Sequence, residues 1–152
     1  MAAAKRVLIL AATTGYQTRM FAEAATRLGL EAVLGTDRCR HMDDPWRDHS
    51  RAVRFENPAS LRELLREARE APFEAVLGLG DRPAWLAAVA AARLKLRGNP
   101  PEAAEAAGNK YLARQRFQDA GLPVPCYRRL PLDADPRREA RAVPYPCVLK
   151  PL

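Results

Sequence analysis

The stretch "RVLILAATTGYQTR" (residues 6–19) decides the fold. Val7-Leu8-Ile9-Leu10 is an unbroken apolar run rather than an alternating one. A strand with one wet face alternates; a continuous run marks a parallel strand covered on both faces. Small polar residues follow, with Gly15 as the turn residue. Then comes "MFAEAATRLG" (20–29), a helix in which Phe21, Ala24, Ala25 and Leu28 share a face and Gly29 makes the stop. Strand, turn and helix in this order open a βαβ unit.

The same grammar continues outward. "LEAVLGT" (30–36) reads as a second strand and "AVRFE" (52–56) as a brief third. Between them, "DRCRHMDDPWRDHS" (37–50) has no periodicity and reads as loop. "SLRELLREAREA" (60–71) is amphipathic: Ser60 and Glu63 have capping-box spacing, and Leu61, Leu64, Leu65 and Ala68 form the stripe. "FEAVLGLG" (73–80) is a fourth strand, and "DRPAWLAAVAAARLKL" (81–96) a helix with Asp81 and Pro83 at its start. Alternating strands and helices make a parallel sheet with right-handed crossovers, hence a three-layer α/β domain to about Leu96.

The texture then changes. "RGNPPEAAEAAGNK" (97–110) has paired prolines and a short alanine-rich helix; "KYLARQRFQDAG" (110–121) is a further helix ended by Gly121. "LPVPCYRRL" (122–130) reads as extended and "PLDADPRREARAVPYP" (131–146) as polar and proline-marked. "CVLK" (147–150) is a short apolar strand closed by Lys150, and a strand needs a neighbour for its backbone groups.

At 152 residues the chain holds one domain, or one domain and the start of another. Net charge is +7, carried by 21 arginines and only 4 lysines. The arginines are scattered among glutamates, whereas nucleic-acid binders gather charge on one face, so no nucleic-acid partner is expected. Cys39, Cys126 and Cys147 are far apart and odd in number, which implies reduced thiols and a cytoplasmic setting. "MAAAKRVLILAA" (1–12) is too short in its apolar run for a signal peptide, and no membrane span is expected.

Candidate sites are few. Thr14 and Gly15 follow the first strand, where open α/β sheets place ligands; a plain turn is the other reading. One glycine makes neither a dinucleotide fingerprint nor a phosphate loop. Asp81 follows the fourth strand at a helix start, where a carboxylate complements the helix dipole and also faces the same sheet edge. Asp43 and Asp44, near Cys39 and His41, match no metal-ligand spacing and read as solvated loop, so no metal site is expected. His41 and His49 have no catalytic partner. Lys110 and Lys150 stand out in an arginine-rich chain, because a compact ammonium on a flexible stem suits single phosphate oxygens.

Together, "LRGNPPEAAEAAGNKYLARQRFQDAGLPVP" (96–125), "YPCVLKP" (145–151) and "ATTGYQTRMFAEAATRLG" (12–29) resemble the start of an ATP-grasp enzyme of the carboxylate–amine ligase type. The resemblance implies a Rossmann-like pre-ATP-grasp domain over 1–98. It implies that 99–152 holds linker helices and the first helices and strands of the ATP-grasp domain. Lys110 resembles the family's helix-opening lysine near the ATP phosphates, and Lys150 its strand lysine at the α-phosphate. ATP, Mg²⁺ and a small carboxylate substrate are the implied cofactors and partners of a complete enzyme, acting through an acyl phosphate.

In that family the "KP" pair leads to a glycine-rich loop, an adenine-binding strand, acidic metal ligands and a catalytic arginine. None is present here. The expectation is therefore a truncated chain, without catalytic residues of its own and without tight ATP binding. Two other readings stand beside it. One is a stand-alone metabolite-binding α/β module gripping its ligand after strands one and four. The other is one chain of a split enzyme, completed by a partner chain. A homodimer also remains open.

Overall fold

The computed structural model describes residues 4–12, 17–37 and 50–151. Thr14, Gly15, Cys39, His41, Asp43, Asp44 and His49 lie outside the described residues. Four strands, β1 (Arg6–Ala11), β2 (Glu31–Thr36), β3 (Arg51–Ala52) and β4 (Phe73–Leu79), form one sheet in the order β3-β2-β1-β4. Every pairing is parallel. The helices are α1 (Gln17–Arg27), α2 (Arg62–Glu70), α3 (Asp81–Arg93), α4 (Pro101–Gly108), α5 (Lys110–Asp119) and α6 (Pro136–Arg141). A 3₁₀ turn at Pro58–Leu61 precedes α2.

β1 sits between β2 and β4, which is why its run is apolar throughout: Val7 to Ala11 are all buried. Leu8 and Leu10 join a core with Val33, Phe55, Leu61 and Leu64, with α3 adding Leu86 and Ala90. Val7, Ile9 and Ala11 take the opposite face. The connection through α1 steps from β1 outward to β2; the one through α2 returns from β3 to β4. Right-handed crossovers therefore set α1 and α2 on opposite faces, giving three layers.

Several local expectations change. β3 is two residues, not five. It is an edge strand that pairs only with β2, through Gly35–Arg51 and Thr36–Ala52, before the chain turns in to bury Val53 and Phe55. Ser60 does not cap α2. Its hydroxyl donates toward the Asn57 and Arg54 carbonyls, Asn57 caps the 3₁₀ turn, and Leu61 precedes α2 with no side-chain cap. The extra 3₁₀ turn has moved the helix start two residues downstream. Of the apolar face of α1, only Ala25 is buried, while Leu28 is 73% exposed. α3 stops at Arg93 because Lys95 adopts φ 56°, and Leu96 N–H reaches back to Ala91 C=O at 2.9 Å. That is a Schellman closure made without glycine.

α6 was not expected. Asp135 caps it by accepting from Arg137 N–H at 2.9 Å, and Pro136 supplies a ready first-turn φ. "CVLK" forms no strand; residues 147–151 join no ladder, and Val148 and Leu149 are 79% and 84% exposed. The absence of a neighbouring strand among the described residues accounts for this.

The chain divides into two compact units, Met1–Gly108 and Asn109–Leu152. α4 packs on α3 and so belongs to the first. Every buried residue lies in the first unit; among the described residues the second has none.

Candidate functional site

In an open parallel sheet, ligands meet the carboxyl ends of the strands where the strand order reverses. Here β1 leads outward to β2, while β3 returns across the sheet to β4. The reversal lies between β1 and β4, which end level with one another at Ala11 and Leu79. Asp81 sits just past the end of β4, and residues 13–16 connect β1 to α1. Asp81 thus follows the end of β4, beside the end of β1; Thr14 and Gly15, which come after β1 in the sequence, lie outside the described residues.

The backbone beside Asp81 is specialised. Gly80 has φ 95°, a conformation that any side chain would strain. Gly78 lets α3 lie close on β4: an added Cβ would stand 2.9 Å from Ala87 Cβ and 3.0 Å from Ala84 Cα. Together they hold the start of α3 against the strand end. Asp81 is the first residue of α3 and is exposed. It makes no hydrogen bond or ion pair among the described residues. Its carboxylate is therefore open to a cation or to hydrogen-bond donors.

Next to it, Arg82 ties two further loops to this edge. Its Nη1 donates to Asp37 Oδ2 at 2.9 Å, just past β2. Its Nη2 donates to Glu56 Oε1 at 2.8 Å, past β3. The guanidinium lies 5.4 Å from the Phe55 ring centroid, a cation–π contact that places its apolar face on the core's rim. The hydrogen bond from Arg82 holds the Glu56 carboxyl below its ordinary value, and the carboxylates raise Arg82 above its own. Sequence reading missed Arg82, Asp37 and Glu56. Their only signal is position, since each lies within four residues of a strand's carboxyl end.

The two lysines lie on the second unit. Lys110 opens α5, whose cap is Asn109: its Oδ1 accepts from Tyr111 N–H at 3.0 Å and Leu112 N–H at 3.1 Å. Tyr111 meets Tyr127 edge-on at 5.6 Å, and Tyr127 donates to Gln118 at 3.0 Å, so the segment after α5 folds back on the helix. Lys150 belongs to the exposed stretch after residue 146. Both side chains belong to exposed residues and form no ion pair among the described residues. Lys110 and Lys150 share one unit, and Asp81 lies on the other. Among the described residues no three His, Cys, Asp or Glu side chains gather to hold a metal. No helix among them is long and apolar enough to cross a membrane.

No protein-family profile matches the chain, and no curated protein matches it. Solved structures do. The chain is similar to an L-amino acid ligase from Bacillus licheniformis, with TM-score 0.62 and 25% identity over 82% of this chain and 32% of the other. It shares its fold with a phosphoribosylglycinamide synthetase from Anaerococcus prevotii, with TM-score 0.55 and 20% identity over 78% of this chain and 30% of that one. The chain therefore spans about a third of the length of these structures. The first match is longer than the first compact unit alone, so it reaches into the second. The resemblance to ATP-grasp carboxylate–amine ligases in the sequence recurs in the fold.

Proposed function

We propose that these residues form the leading part of an ATP-dependent carboxylate–amine ligase. Residues 1–98 are the pre-ATP-grasp domain; 99–152 are the linker helices and the first part of the ATP-grasp domain. One observation carries this reading: the likeness to the L-amino acid ligase, at 25% identity, runs past the first compact unit into the second. The exposed apolar side chains of the second unit add support. Phe117, Leu122, Tyr145, Val148 and Leu149 are all half-exposed or more, in a unit without a buried residue. Such a surface is covered by more chain, from the same polypeptide or a partner.

In the complete enzyme, the carboxylate oxygen attacks the γ-phosphorus of ATP and ADP leaves, giving an acyl phosphate. The amine then attacks the acyl carbon and phosphate leaves. Such transfers depend on positioning and on neutralising charge on the phosphate oxygens, which Mg²⁺ supplies when bound. Lys110 and Lys150 supply positive charge to the ATP phosphates. Asp81, with the 13–16 connection, faces the small substrate at the strand reversal. Metal ligands come from outside the described residues.

The test is phosphate release by the complete enzyme, with ATP, Mg²⁺ and L-amino acids supplied singly and in pairs. Release that requires both a carboxylate and an amine supports the reading. Lys150→Ala and Lys110→Ala should each lower kcat/KM by about tenfold or more, the loss expected when a charge-assisted phosphate contact goes. Carboxylate-independent ATP hydrolysis, or none, would sink it.

A second reading has its own observation: among the described residues, every buried one lies in the first unit. A metabolite-binding module built on that unit needs nothing from residues 109–152. Ligand binding unchanged after deletion of that segment would favour it.

A further inference from the structure

The outer side of α2 carries a feature that neither the sheet edge nor the lysines use. Ala59, Arg62, Leu65, Arg66, Arg69 and Arg93 line a groove of about 490 Å³. Leu65 and Ala59 supply its apolar part beside four arginines, and among the described residues no carboxylate belongs to the lining. Arg62, Arg66 and Arg69 follow one another at i, i+4 and i+7, so they rise along one side of the helix within ~10 Å. None of the three forms an ion pair or hydrogen bond among the described residues. Arg93 is fixed from α3, its Nη1 donating to Pro58 C=O at 3.0 Å.

This spacing is costly for a helix alone, since like charges three and four residues apart repel. Of the acids on α2, Glu67 accepts from Arg6 and Arg51, and Glu70, four residues beyond Arg66, forms no ion pair with it among the described residues. A bound anion removes the repulsion. The chemistry of the lining selects its class. Guanidinium forks bind phosphate and carboxylate oxygens in pairs, and a single carboxylate leaves most of the positive charge unanswered. A long polyanion running along α2 would also meet the exposed Glu63 and Glu70. The fitting ligand is compact, carries several negative charges within a few ångströms, and has room for a small apolar body over Leu65.

We propose that the α2–α3 groove is a binding site for a compact organic polyphosphate, separate from the lysines assigned to ATP in the proposed reaction.

The test is calorimetric titration of the chain with inorganic tripolyphosphate at low ionic strength. Saturable one-to-one binding is expected, weakening as salt rises. The Arg66→Gln/Arg69→Gln variant should bind about tenfold more weakly or worse, as expected for loss of charge-assisted hydrogen bonds. Its melting transition should stay cooperative. A Lys110→Ala/Lys150→Ala variant should bind like the unmodified chain, which separates this site from the proposed ATP contacts. Absence of saturation, an equal loss in the lysine variant, or tighter binding of a single-stranded oligonucleotide than of tripolyphosphate would each overturn the proposal.

Discussion

Each end of the sheet is fastened by one arginine, and the two fasteners differ in burial. At the amino end, Arg6 is 11% exposed. Its Nε donates to Glu31 at 3.1 Å; its other nitrogens reach the Glu67 carboxylate and the Ala71 carbonyl, and its guanidinium lies 4.7 Å from the Phe73 ring centroid. One side chain thereby joins β1, β2, the end of α2 and the start of β4. At the carboxyl end, Arg82 joins three segments, but it is 58% exposed and its ion-pair partners are carboxylates, one of them 69% exposed. The amino end is closed with a charge shielded from water; the carboxyl end is left wet. A sheet that binds at its carboxyl edge needs that edge open, so its stability is gathered at the other.

The largest effect should follow from Arg6→Ala. Removing it takes the side-chain donor from the Ala71 carbonyl and leaves part-buried Glu67 with Arg51 alone, and such losses cost about 2–4 kcal/mol. Urea unfolding would measure it. Arg6→Lys should recover only part, because an ammonium cannot address Glu31, Glu67 and Ala71 in one plane. A cost for Arg6→Ala below about 1 kcal/mol would mean the amino end is not the fastened one.

Gly78→Ala comes next, at about 1–3 kcal/mol, because the added methyl meets Ala87 Cβ and the backbone at Ala84 and Pro83, which have little room to yield. It tests whether the carboxyl end depends on close helix–strand approach where it lacks shielded charge. An unchanged urea midpoint would show that α3 shifts freely there.

A smaller, pH-dependent effect belongs to Glu67. Burial pushes its carboxyl up, but the hydrogen bond from Arg6 and the charge of Arg51 outweigh this and hold it below the ordinary value. The unfolded chain therefore takes up this proton first as pH falls. The stabilisation is complete above the usual glutamate value of ~4.3 and is lost as pH drops through the folded value. Glu67→Gln should cost about 1 kcal/mol at neutral pH, and the cost should shrink toward pH ~3. A cost independent of pH would remove the ion pair from the account.

The sequence showed the sheet more clearly than its fasteners. β1, β2, β4 and the stripe of α2 were legible because each is a periodic apolar signal, and burial answered it at Leu8, Leu10, Leu61 and Leu64. The capping box at Ser60 misled because local spacing does not reveal an intervening 3₁₀ turn. The "CVLK" strand misled because strand propensity does not supply a neighbour. Arg6 and Arg82 read only as two arginines among 21: their partners lie between 25 and 65 residues away, beyond any local pattern. Asp81 was legible because a strand end followed by a helix start is itself local.

Arg82→Gln should give the smallest change in stability and the most local one. Its ion pairs are exposed, and exposed pairs contribute little to folding and are screened by salt. The melting temperature should stay close to that of the unmodified chain. What should move is Glu56: without the hydrogen bond from Arg82, its carboxyl rises toward the ordinary glutamate value, readable in a carbon-detected NMR titration. A local titration change without a stability change is the signature of a residue that arranges the carboxyl edge rather than the fold. A loss of stability matching that of Arg6→Ala would erase the distinction between the two ends, and the carboxyl edge would then be as firmly closed as the amino one.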